Sequence, residues 1–180
     1  MKGAETPLSG AIVQAPRAHD PARAESVLSE LPECLRHGAL GDLLHGATGS
    51  SPYLARLVQR QGDWLAHIMD EPPDGIFDGI IASLTETEFR TLADIRTALR
   101  VAKARAALLI ALADLGGVWD LGRVTGALTL LADTAVETAA RFLLQVRTVS
   151  LAVRCTYWET ISPCLRPPLM PPGNRAGARC

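Results

Sequence analysis

Thr85-Glu-Thr-Glu-Phe-Arg-Thr-Leu-Ala-Asp-Ile-Arg-Thr-Ala-Leu-Arg-Val-Ala-Lys-Ala-Arg-Ala-Ala-Leu-Leu-Ile-Ala-Leu-Ala113 is the stretch on which the fold turns. Leu92, Ile95, Leu99, Ala102, Ala106, Leu109 and Ala113 recur at alternating spacings of three and four, and all are apolar. That period lines one side of an α-helix, leaving Arg90, Thr97, Arg100 and Lys103 on other faces. Thr85-Glu-Thr-Glu88 matches a capping box, in which each end's side chain satisfies the other's backbone N–H. A helix of roughly 30 residues is therefore predicted.

Gly116-Gly117 ends it, since glycine tolerates the turn that closes a helix. Trp119 and Val124 sit where a hydrophobic staple would place them around an Asp120 cap. A second stripe comes next: Leu121, Val124, Leu128, Leu131, Ala135, Ala139 and Phe142, with Asp133, Glu137 and Arg141 outside it. Glu137 and Arg141 have the favourable i,i+4 order. Two long helices joined by a tight turn pack as antiparallel neighbours. The predicted fold is all-α: a helical bundle built on a long antiparallel helical hairpin, with irregular N- and C-terminal tails.

Upstream the pattern is shorter. Residues 1–23 carry Pro7, Pro16 and Pro21 with little periodicity and read as a flexible lead-in. Residues 24–48 read as a short helix, Ala24 to His37, disturbed by Pro32, and then a loop punctuated by Gly38, Gly41 and Gly46. From Gly49 the chain reads as a helical module to residue 146. Ser51-Pro52 is a good helix start. Gly62 is expected to interrupt, with Asp63 capping a second short helix that carries Trp64, Leu65 and Ile68. Glu71-Pro-Pro-Asp-Gly75 is a stop and turn, and Ile76 to Leu84 a brief helix. Residues 147–180 hold five Arg, one acid, five of the twelve Pro and three of the four Cys. They read as an irregular tail foreign to the rest of the chain.

Bulk properties narrow the function. Hydrophobic residues make up 48 % and charged residues 21 %, a globular balance. A formal net charge of -1 gives no global field to recruit nucleic acid or an anionic membrane, so neither is expected as a partner. Ala106 to Ala113 is the most apolar run, far short of the roughly 20 residues that span a bilayer, so it reads as a buried helix. No secretory signal is evident, and four scattered cysteines suggest a reducing cytoplasm.

Candidate chemistry is sparse. Cys34, His37, Asp42 and His45 could supply zinc donors, but their spacing and glycine-rich setting match no known finger, and they read as incidental. Cys155, Cys164 and Cys180 have no histidine or helix N-terminus nearby to activate a thiol. Trp64 and Trp119 read as core residues. Gly116-Gly117 is a helix stop rather than a phosphate loop. Two-metal phosphoryl chemistry needs carboxylates that converge on the ions, and no Asp-x-Asp occurs anywhere in the chain. No catalytic, cofactor-binding or metal-binding residue is assigned. Arg90, Arg96, Arg100 and Lys103, with Arg105, form a basic run on the long helix. It is the one candidate partner-contact face, although a solvated face is the usual meaning of such a run.

Gly49-Ser-Ser-Pro-Tyr-Leu-Ala-Arg-Leu57, Asp63-Trp-Leu65 and above all Ala107-Leu-Leu-Ile-Ala-Leu-Ala-Asp-Leu-Gly-Gly-Val-Trp-Asp-Leu121 resemble the N-terminal region of the bifunctional glutamine synthetase adenylyltransferase/adenylyl-removing enzymes. The likeness continues through Val124-Thr125, Ala127-Leu-Thr129, Ala132-Asp133, Ala135-Val136 and Arg141-Phe-Leu-Leu144. The resemblance implies a large bacterial enzyme with two nucleotidyltransferase halves. One half transfers AMP from ATP to a tyrosine of glutamine synthetase, and the other removes it by phosphorolysis. Mg2+ and ATP are implied for the full-length enzyme, and glutamine synthetase and a PII-type nitrogen-signalling protein as partners. The matched stretch would precede the AMP-removing core, whose Gly-Ser and Asp-x-Asp motifs have no counterpart here. After Leu144 the family's continuation is expected to give way to the foreign tail, as in a truncated or frame-shifted product. The expected role is a scaffolding segment that is inert alone and binds no cofactor itself. The rival is a small helical interaction module using the basic face.

Overall fold

Glycine in a helix is expensive unless something must come close, and that rule explains the first half of the molecule. The computed structural model describes the backbone of residues 6–161 and the side chains of residues 6–145. Within that span the chain is all-helical: α1 (Leu8–Ala11), α2 (Pro21–Ser29), a 3₁₀ turn (Glu33–Leu35), α3 (Gly38–Ser50), α4 (Pro52–Ile68), α5 (Pro73–Thr85), α6 (Leu92–Leu115) and α7 (Leu121–Ile161). The chain divides into two units, 1–140 and 141–180. The packing contacts are those within the first unit.

The glycine-rich stretch expected to be a loop is the buried helix α3. Its glycines mark close approaches. A Cβ on Gly46 would lie 1.9 Å from the Pro16 carbonyl oxygen, and one on Gly49 would lie 2.6 Å from the Ala18 Cβ. Residues 6–20 are accordingly a strap laid over helix ends, where a flexible lead-in was expected. The Leu8 and Ser9 amides donate to the Glu71 and Met69 carbonyls, and the Val13 amide donates to the Gly116 carbonyl at 2.9 Å. The Asp20 amide reaches the Gly49 carbonyl, the Ser50 hydroxyl donates to the Arg17 carbonyl, and the Arg23 guanidinium donates to the Thr48 and Gly49 carbonyls. Leu8 is fully buried. Few of these bonds have a periodic signature, which is why the segment looked featureless.

The helix expected over Ala24–His37 starts earlier and stops sooner. Asp20 caps α2 through the Arg23 amide, and Pro21 occupies its first turn. Pro32 cannot continue a helix, and the chain after it makes only the 3₁₀ turn. α4 begins as expected, with the Ser51 hydroxyl accepting from the Leu54 amide. It then runs unbroken through Gly62, because that glycine is another contact position: a Cβ would lie 2.9 Å from Leu31 Cδ2. Asp63 is consequently a mid-helix residue whose carbonyl faces the His67 ring.

The capping box of the long helix lies six residues beyond the expected one. Thr91 and Asp94 exchange both reciprocal bonds at 3.1 and 3.0 Å. Thr85 remains inside α5, its hydroxyl bonded back to Ile81 and Ala82 carbonyls. The stripe holds from there on: Ile95, Ala102, Ala106, Leu109 and Ala113 are buried and Leu99 partly so, while Leu92 in the first turn is half exposed. Leu108, Ile110 and Leu112 are buried as well, so the apolar run at Ala106–Ala113 is enclosed on most sides. Gly117 (φ 67°) closes α6 as a Schellman turn, with the Val118 amide donating to the Ala113 carbonyl and the Gly117 amide to Asp114.

α7 is capped at Asp120 by the Arg123 amide, and Trp119 and Val124 are both buried as the staple requires. Its inward face differs from the expected stripe. Of the expected stripe Val124 and Phe142 are buried and Leu131 is partly buried; Ala127, Thr134 and Thr138 are buried beside them, while Leu121 and Leu128 are 76 % and 49 % exposed. Two anchors to α5 set this rotation. Arg123 pairs with Asp74 near the start of α5, and the Thr138 hydroxyl donates to the Leu84 carbonyl near its end. These contacts make α7 parallel to α5. The two long helices thus run in opposite directions, as expected of a hairpin, with α5 packed on α6 and bonded to α7. Residues 147–161 continue α7 where an irregular tail was expected. Val146-Arg-Thr-Val-Ser-Leu-Ala-Val-Arg154 holds neither Gly nor Pro, so nothing in it stops a helix already under way. Residues 162–180, with Cys164 and Cys180, and the Cys155 side chain lie outside the described residues.

Candidate interaction surfaces

A helix presents rows of side chains at spacings of three and four, and α6 shows two such rows. The first is the core row that ends at Ala113. Arg96, Arg100 and Lys103 form a second, exposed row; Arg100 Nε donates to the Arg96 carbonyl at 3.1 Å. No ion pair joins these three to an acid among the described residues. Arg90 is exposed too, but it precedes the helix in the connection from α5. The candidate contact face is thus three residues on one helix with Arg90 beside its start.

Arg105 leaves that face. Its guanidinium carbon lies 5.2 Å from the centre of the Trp64 ring, and its buried Nε has no hydrogen-bond partner. It lines a cleft of about 640 Å³ between α5 and α6, floored by Gly79, Ile80, Ala98, Val101 and Ala102. The sequence put Arg105 with the other basic residues; only the helical angle separates it. Trp64 is partly buried against the core, and Trp119 is buried with its ring edge-on to Phe77 at 6.0 Å.

A cluster around Arg123 was not legible in advance. Arg123 Nε and Nη2 both lie 2.7 Å from Asp74 Oδ1, and its guanidinium carbon stands 4.6 Å from the Trp119 ring centre and 5.2 Å from that of Phe77. A carboxylate and two π-faces thus surround one cation. Asp74 read as a turn residue, and 49 positions separate it from Arg123. The cluster holds α5 to α7 and is structural.

Cys34 is exposed, and His37 occupies the N-cap position of α3 without a side-chain cap bond. Among the described residues no three His, Cys, Asp or Glu side chains come together to hold a metal ion. Among the same residues no helix is long and apolar enough to cross a membrane.

The described residues thus form an all-helical module. The chain belongs to the glutamate-ammonia ligase adenylyltransferase family, whose model matches residues 42–157. That match runs past Gln145, beyond where the resemblance was expected to stop. The chain is similar to the bifunctional glutamine synthetase adenylyltransferase/adenylyl-removing enzyme of Bradyrhizobium sp. (strain BTAi1), with 33 % identity over 156 residues, 79 % of this chain and 16 % of that one. The enzyme of the same name from Caulobacter vibrioides is 44 % identical over 94 residues, 50 % of this chain and 9 % of that one. That of Xanthobacter autotrophicus is 36 % identical over 145 residues, covering 73 % and 15 %. The chain therefore spans at most 16 % of the length of these relatives. No solved structure matches it.

Proposed function

We propose that this chain serves as the N-terminal helical part of an enzyme that adenylylates and deadenylylates glutamine synthetase, and that alone it catalyses neither step. One observation carries the reading. The family match takes in most of α3 to α7, yet the sequence contains no Asp-x-Asp with which to bind the two metals of nucleotidyl transfer. The module's work is positional: it packs beside the AMP-removing core and helps present glutamine synthetase to it. ATP and Mg2+ belong to that core, a PII-type protein sets the balance of the two activities, and the setting is the cytoplasm.

The test is direct. The purified chain, given ATP, Mg2+ and glutamine synthetase, leaves the synthetase unmodified, and given adenylylated synthetase with phosphate it releases no ADP. AMP transfer or removal above blank, with no complementing chain present, overturns the proposal.

A second reading has its own support in the unpaired Arg96, Arg100 and Lys103 row: a free-standing interaction module that binds an acidic protein. Pull-down separates the two. Capture of glutamine synthetase or of the remainder of a family enzyme supports the first reading. Capture only of an unrelated acidic protein, lost on raising the salt to about 0.5 M as screening of exposed charges requires, supports the second.

A further inference from the structure

α7 carries more apolar surface than the described residues cover. Its inward row, Val124, Ala127, Leu131, Thr134 and Thr138, advances by three and four and is buried or partly buried. Beside it runs a second row: Leu121, Thr125, Leu128, Ala132, Ala135 and Ala139, at spacings of four, three, four, three and four. Leu121 is 76 % exposed and Leu128 49 %, while Thr125 and Ala132 are exposed and Ala135 and Ala139 half-buried. Val136, 70 % exposed, flanks the row. No residue of it is charged. A sustained heptad spacing of this kind is the pattern by which one helix receives another, knobs into holes, and its alanines permit close axial approach. The row spans about 27 Å along the helix.

We propose that this second row of α7 is the seat of a helix supplied by the part of the family's longer chain that lies outside the matched region. The inference rests on the proposed function and names the surface through which it works. The length of the relatives supports this occupant: about five-sixths of the Bradyrhizobium enzyme lies outside the match. A segment joined covalently has an effective concentration near the millimolar range, well above that of a second free copy. The absence of charge on the row calls for an apolar face on the incoming helix, with its own charges at the edges.

The experiment uses this chain and, as probe, the Caulobacter vibrioides relative expressed without the segment that matches it. Binding is measured by titration calorimetry, and sedimentation reports the oligomeric state of the chain alone. Wild type is expected to bind, and a Leu121→Glu/Leu128→Glu/Val136→Glu variant to bind at least about a hundredfold more weakly. Asp133→Lys, a charge change outside the row, leaves binding unchanged. The three substituted side chains are exposed, and equal helicity and melting temperature confirm that the variant folds. If the variant binds as wild type does, the seam inference fails and the functional reading stands. If wild type does not bind the probe, both fail. If the chain alone dimerises and the three substitutions abolish the dimer without affecting the probe, the occupant is a second copy and the inference is overturned.

Discussion

Gly46 and Gly79 are both helical glycines, and what surrounds each decides what a methyl group would do there. At Gly46 a Cβ would lie 1.9 Å from a backbone oxygen, while at Gly79 it would meet nothing within 4 Å. Gly46→Ala should therefore destabilise by on the order of 2 kcal/mol or more, by pushing the strap from α3. Gly79→Ala should stabilise by about 0.5–1 kcal/mol through helix propensity alone. Urea unfolding of the two variants checks both signs. The Arg123 cluster permits a second measurement at this scale. Its ion pair is about a third exposed on each side, so solvent screens it. A double-mutant cycle over Arg123→Ala and Asp74→Ala should return a coupling of about 1 kcal/mol. Arg123→Ala alone should cost more than that coupling, since the guanidinium also lies against two rings.

At the element scale, the core gives little protection to the start of α6, where Leu92 is half exposed. Its capping box therefore carries much of the first turn. Thr91→Ala should cost about 1 kcal/mol, and amide exchange should rise first at residues 92–95 rather than across the helix. The position of that cap also shows what the sequence could and could not tell. The seven-residue stripe of α6 was legible because apolar side chains repeat on one face for six turns. The cap was misplaced because Thr85-Glu-Thr-Glu88 satisfies the same local pattern as Thr91 to Asp94. Choosing between them depends on where α5 ends, which is decided by Leu84 burying against its neighbours. α3 was misread for the converse reason. Gly46 and Gly49 advertise turns locally, and only the distant backbone of Pro16 and Ala18 makes them helical necessities. α7 was rotated by polarity: Thr134 and Thr138 are buried, where a reading by hydropathy chose the neighbouring Ala135 and Ala139. The basic row of α6 was visible as composition, but the separation of Arg105 from it required the helix to be placed against Trp64.

For the whole molecule the strap sets stability, since residues 8, 9, 13, 17 and 20 together touch the ends of α3, α4 and α6. Removing residues 1–20 exposes the pocket of Leu8 and the grooves over Gly46 and Gly49. A loss of about 3 kcal/mol is expected, or roughly 6–12 °C in melting temperature for a chain of this size. Differential scanning calorimetry of the shortened chain checks it; an unchanged melting temperature would show the strap to be decoration. The same strap also sets a schedule. The Gly116 carbonyl that Val13 bonds is synthesised 103 residues after it (116 − 13). At about 5–20 residues per second, that is roughly 5–20 s during which the leading segment exists without its last docking site. Synthesis ends its wait only when the α6–α7 turn emerges, so the strap leaves the ribosome well before its last partner does.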